Sequence, residues 1–186
     1  MARQGIPNAK PSAVGRPPSC LGQRKIAESR IETFKENTMP IPTEADWGDY
    51  KADLDQTYAH KLFGGRTNQE MLPHFRRNVI ERTDELRWMP EIPYRYYMLG
   101  FRDFVMAGEF DPLWGSDAAS CFIGLVLEKL EKQPVHILQI MPQLLPAVRH
   151  VAMNQSAFEA SEEICGSFQE KLKRIEGLYE TLSRSY

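Results

Sequence analysis

The chain has 186 residues with a formal net charge of −2, and its 42% hydrophobic and 26% charged residues match the composition of one ordinary globular domain. No apolar run approaches the ~18 residues that span a bilayer, so no membrane partner is expected. The three cysteines, Cys20, Cys121 and Cys165, are an odd, widely spaced set. They argue against a disulfide-stapled secreted scaffold and an all-cysteine zinc site, and a cytoplasmic location is expected.

Charge is unevenly placed. Residues 1–38 carry a net +4 and residues 39–186 a net −6. Pro7, Pro11, Pro17 and Pro18 fall in the first 18 residues, with few apolar side chains between them. Such a segment cannot bury enough surface to offset the entropy of ordering it, so 1–38 reads as a disordered basic leader. A transit-type targeting segment is an alternative, as is a true start at Met39. A short helix over Lys25–Glu36 is a further expectation.

The domain proper is expected over 39–186. Trp47, Tyr50, Leu54, Tyr58 and Leu62 recur at helical spacing and predict a first helix with a core-facing stripe, ended by Gly64-Gly65. Thr67 and Glu70 have capping-box spacing for a second helix, which contains Pro73. A short polar segment, 80–88, stops at Pro90. Tyr94, Tyr97, Met98, Phe101, Phe104 and Val105 predict the next helix, ended by Gly108 and Asp111-Pro112. Ser116 is placed to cap a helix running to Gln133-Pro134. Short turns are expected between Pro134 and Pro146, and helix from Pro146 to Asn154. Ser156 and Glu159 again have capping-box spacing before a last helix through Phe158, Ile164, Cys165, Phe168, Leu172, Ile175 and Tyr179. The fold class is all-α, a single domain of about six or seven helices.

Several constellations carry chemistry. Asp46, Asp49 and Asp53 would share one side of the first helix and offer an acidic face to a basic partner. The run Trp88–Tyr97 packs four aromatics and two prolines into ten residues. Read as a stiff loop, it offers Trp88, Arg95 and Tyr96 as contact residues, because Trp, Tyr and Arg dominate binding hot spots. Tyr94 and Tyr97 fit the core stripe instead. Arg76, Arg77, Arg82, Arg87, Arg95 and Arg102 suit anions, although interleaved acids leave 67–102 at only +1. The histidines His60, His74, His136 and His150 lack metal-site spacing, so no metal and no cofactor is expected. GxSxG, P-loop and GxGxxG motifs are absent from the sequence, and it leans away from an enzyme.

Two functions follow. The first is a protein-protein interaction module of unknown target, an inhibitor, immunity-type protein or adaptor, using the acidic helix and the aromatic loop. The alternative is a small-molecule or anion-binding enzyme, with His74, Arg76 and Arg77 as binding groups and Asp84 or Asp103 as base. Nucleic-acid binding through the leader ranks last, and homo-oligomers stay open. An enzyme needs these groups to converge in a deep pocket, whereas arginines that merely pair with neighbouring acids remove its motive.

Overall fold

Helix-favouring periodicity dominates 39–186, and the computed structural model, which describes residues 39–110 and 114–185, is helical throughout. Seven helices have ten residues or more. They are α1 (Leu54–Phe63), α2 (Asn68–Arg77), α3 (Val79–Trp88), α4 (Glu91–Ala107), α5 (Gly115–Lys132), α6 (Met141–Met153) and α7 (Phe168–Ser183). Short helical turns cover Glu44–Trp47, Tyr50–Ala52, Pro134–Ile137, Leu138–Ile140, Gln155–Phe158 and Glu162–Cys165. The described residues contain no strand, and the fold is all-α. The leader, its expected helix over Lys25–Glu36 and the Asp111-Pro112 stop lie outside the described residues.

Helix α4 is the axis of the core. Pro93, Tyr94, Tyr97, Met98, Leu99, Phe101, Phe104 and Val105 are all buried, on every side of the helix. A helix apolar all round must be covered all round. α2, α3, α5 and α6 pack against it, α7 lies on α5 and α6, and α1 leans on α3. Phe75 of α2 stacks on Phe101 at 5.0 Å between ring centroids, and Phe63 of α1 meets Tyr97 edge-on at 4.9 Å. The Tyr97 hydroxyl lies 2.9 Å from the Arg66 carbonyl and 2.5 Å from that of Phe63, and so closes the end of α1. Gly100 is required where α2 crosses α4, because a Cβ there would collide with the Asn68 side chain.

Five local expectations need correction. The first helix does not start at Trp47. Gly48 takes φ +58°, a left-handed conformation that breaks the stripe into two 3-10 turns before α1. Trp47 and Tyr50 are buried as expected, but Leu54 and Tyr58 face outward, and Ala59 and Phe63 supply the core contacts. The Trp88–Tyr97 run is not a loop. α3 reaches Trp88, only Met89-Pro90 intervene, and α4 starts at Glu91 with Pro93 in its first turn, where a missing N–H costs nothing. The last long helix starts at Phe168, capped by Ser167, because Glu159 at φ 56° and Gly166 at φ 70° interrupt the chain, leaving Ile164 exposed. Ser116 does not cap α5, which starts one residue earlier at Gly115. Finally, the short turns end at Ile140 and α6 starts at Met141, with Pro142 in its first turn and Pro146 inside it.

Candidate interaction surface

A corner of the domain is built where α3 ends, α4 begins and the Pro134–Ile137 turn follows α5. Pro90 forces Met89 into extended backbone (ψ 145°) and ends α3. The turn is then fastened to α4 by Arg95. Its Nη2 donates to the Val135 carbonyl at 2.7 Å and its Nε to the His136 carbonyl at 3.2 Å, and it pairs with Glu91 one turn back at 2.5 Å. Arg87 pairs with Asp84 on its own helix and with Glu128 of α5 at 2.9 Å. Beneath these lies Lys129, buried, whose ammonium donates to the Arg87 carbonyl at 2.7 Å and to Gln133 Oε1. The same ammonium sits 4.7 Å above the Tyr94 ring. A cation at the carbonyl end of α3 opposes the negative end of its dipole. Burial pulls the Lys129 ammonium down to about 8, with Glu128 acting against the shift and Arg87 with it. The Tyr94 hydroxyl and His136 Nδ1 are buried without a hydrogen-bond partner among the described residues, and their rings lie 6.2 Å apart.

Three large apolar side chains are exposed on this corner: Trp88 at 49%, Ile92 at 43% and Val135 at 45%. Trp88 is therefore on the surface, as the sequence suggests. Arg95 and Tyr96 are not available in the same way. Arg95 is spent on the carbonyls of the turn, and Tyr96 is buried, its hydroxyl accepting from Asn68 N–H at 3.3 Å while Asn68 Nδ2 donates to its carbonyl at 3.0 Å. Ile92 and Val135 were missed. Ile92 lies inside the run that sequence reading singles out, but Val135 reaches the corner through tertiary packing of the Pro134–Ile137 turn on α4 and α5, with the Arg95 bonds.

The expected acidic face does not form as one helix side. Asp46 accepts from Thr43 N–H and Oγ1 at 2.7 Å each, and those bonds hold its carboxyl below the usual range. Asp49 precedes the second turn, and Asp53 caps α1 by accepting from Gln56 N–H at 2.9 Å. Glu44 is tied to the Tyr50 hydroxyl at 2.9 Å and to His60 Nε2 at 2.8 Å, with Tyr50 stacked on His60.

Arg66, Arg82 and Arg77 gather around His74, but the sequence-predicted set with Arg76 and Asp84 does not meet in one pocket. His74 Nε2 meets Arg66 Nη1 at 2.9 Å, and burial, followed by Arg66, Arg82 and Arg77, lowers its affinity for a proton. Arg76 pairs with Glu109, and Arg77 points to solvent. Asp84 lies on α3 with Arg87. Asp103 and Arg76 do share a groove of about 220 Å³ between α2 and α4, floored by Leu72 and Phe104. That volume is below the ~300–1,000 Å³ of typical small-molecule sites. Asp103 pairs with Arg102 at 2.6 Å, and burial raises its carboxyl. Among the described residues, no three His, Cys, Asp or Glu side chains gather as metal ligands, and no helix is long and apolar enough to cross a membrane. Comparison with protein-family models, curated proteins and solved structures gave no match.

Proposed function

We propose that this protein acts by binding another protein, with Trp88 at the centre of the contact. The observation that carries this reading is the half-exposed Trp88 at the end of α3, with Ile92 of α4 and Val135 of the following turn also exposed on elements that Arg95 and Lys129 fasten together. A large aromatic held on a rigid frame costs little ordering entropy on binding, which is the physical basis of a hot spot. Arg76, Arg87 and Arg95 pair with Glu109, Asp84 and Glu91, which takes away the motive for an anion-binding enzyme. The free thiols Cys121 and Cys165 fit the cytoplasm as the place of action.

The test is capture from native lysate with the full chain and with Trp88→Ala, with mass spectrometry of what stays bound. One stoichiometric protein held by the wild type and lost from Trp88→Ala is the expected result. Equal retention by both baits, or no retained protein, overturns the reading.

A further inference from the structure

The break at Gly48 turns outward two side chains that belong to a core stripe by spacing. Leu54 is 70% exposed and Tyr58 57% exposed, one turn apart on the same side of α1. The chain that leads onto this face is acidic. Residues 44–62 contain Glu44, Asp46, Asp49, Asp53 and Asp55 against Lys51 and Lys61. Glu44, Asp46 and Asp53 already accept hydrogen bonds within the chain, which fixes them in place. The carboxylates of Asp49 and Asp55 make no ion pair or hydrogen bond among the described residues and remain available.

We infer that this face docks a basic amphipathic segment of another protein. Its large apolar side chains would cover Leu54 and Tyr58, and its Lys or Arg groups would meet Asp49 and Asp55. An apolar centre with a charged rim has the anatomy of an interface, and the rim sets partner choice and encounter rate. A second copy of this chain is the wrong occupant for a symmetric contact, because it would bring the same acidic segment against this one. The inference rests on reading the protein as an interaction module, but not on the Trp88 corner.

The experiment titrates the full chain with a synthetic amphipathic peptide of lysine and leucine at helical spacing, using amide chemical shifts and fluorescence anisotropy. The expected result is saturable binding with shifts confined to 49–62. Affinity should fall about tenfold or more in Leu54→Ser with Tyr58→Ser, and similarly in Asp49→Lys with Asp55→Lys. Asp53 is left intact because it caps α1. Both double variants change exposed side chains, so their melting temperatures should stay near that of the wild type. Unchanged affinity in either variant, equal binding of a glutamate-leucine peptide, no binding, or self-association through this face overturns the inference. Shifts centred on Trp88 and Val135 also overturn it, while leaving the interaction-module reading intact.

Discussion

Lys129 shows how a single side chain sets a testable property of the corner. Nothing local in the sequence marks it, since a lysine in a helix usually faces water. Only the arrival of the Arg87 carbonyl and the Tyr94 ring, 42 and 35 positions earlier in the chain, explains its burial. Its ammonium makes two hydrogen bonds and one ring contact but has little solvation, so the folded state disfavours the proton and the group sits at about 8. Between there and the ~10.4 of a free lysine, the unfolded chain binds a proton that the folded chain does not. Unfolding then takes up a proton, so this group makes stability rise with pH across that window. The full span is of the order of 3 kcal/mol. Urea unfolding of the wild type and Lys129→Met should therefore diverge from about pH 7 to about pH 10, the wild type gaining relative to the variant. Parallel curves would sink this account of the buried ammonium.

At the scale of elements, some local signals hold and others do not: the Ser116 cap and the Ser156–Glu159 box fail, while other stops and stripes stand. The Thr67–Glu70 capping box, the stop at Gly108 and the aromatic stripe of α4 stand where the sequence puts them. The first two depend on neighbours within a turn, and the stripe runs through one unbroken helix. The stripe beginning at Trp47 failed because helical spacing says nothing of Gly48, whose left-handed backbone ends the first turn. In place of a continuous helix, the segment 44–52 is fastened to α1 by side chains. Glu44 bonds Tyr50 and His60, and the edge of Trp47 meets His60 at 5.0 Å between centroids. The bond from Tyr50, and then that from His60, hold the Glu44 carboxyl below its ordinary value. A carboxyl depressed in the folded state contributes stability above its unfolded value, lost as pH falls through the folded one. Trp47 fluorescence should thus change as pH drops below the ~4.3 of a free glutamate. In Glu44→Gln the fastening is weakened at every pH, and that acid step should disappear. An identical acid step in the variant would show that another carboxyl releases the segment.

At the scale of the whole molecule, the corner depends on parts far apart in sequence, which is why its apolar centre was only partly legible. Trp88 stood out by composition, but the pairing of Arg95 with carbonyls 40 residues on is a tertiary fact, invisible in local pattern. This division of labour predicts that contact and support will separate on mutation. Trp88 is half exposed and its backbone ends a helix, so Trp88→Ala should change folding stability by no more than about 1 kcal/mol. Arg95 is largely buried and holds two carbonyls of the turn as well as Glu91. Arg95→Ala removes both carbonyl bonds and the Glu91 pair, partly replaced by water, and should cost about 1–2 kcal/mol, or a few degrees in Tm for a domain of this size. It should also speed amide exchange over residues 133–138, where Trp88→Ala does not. If both variants lose partner binding while only Arg95→Ala loses stability, Trp88 is the contact and Arg95 the frame. If Trp88→Ala lowers Tm as far as Arg95→Ala, the tryptophan is part of the fold's own packing, and its exposure carries no argument for a partner.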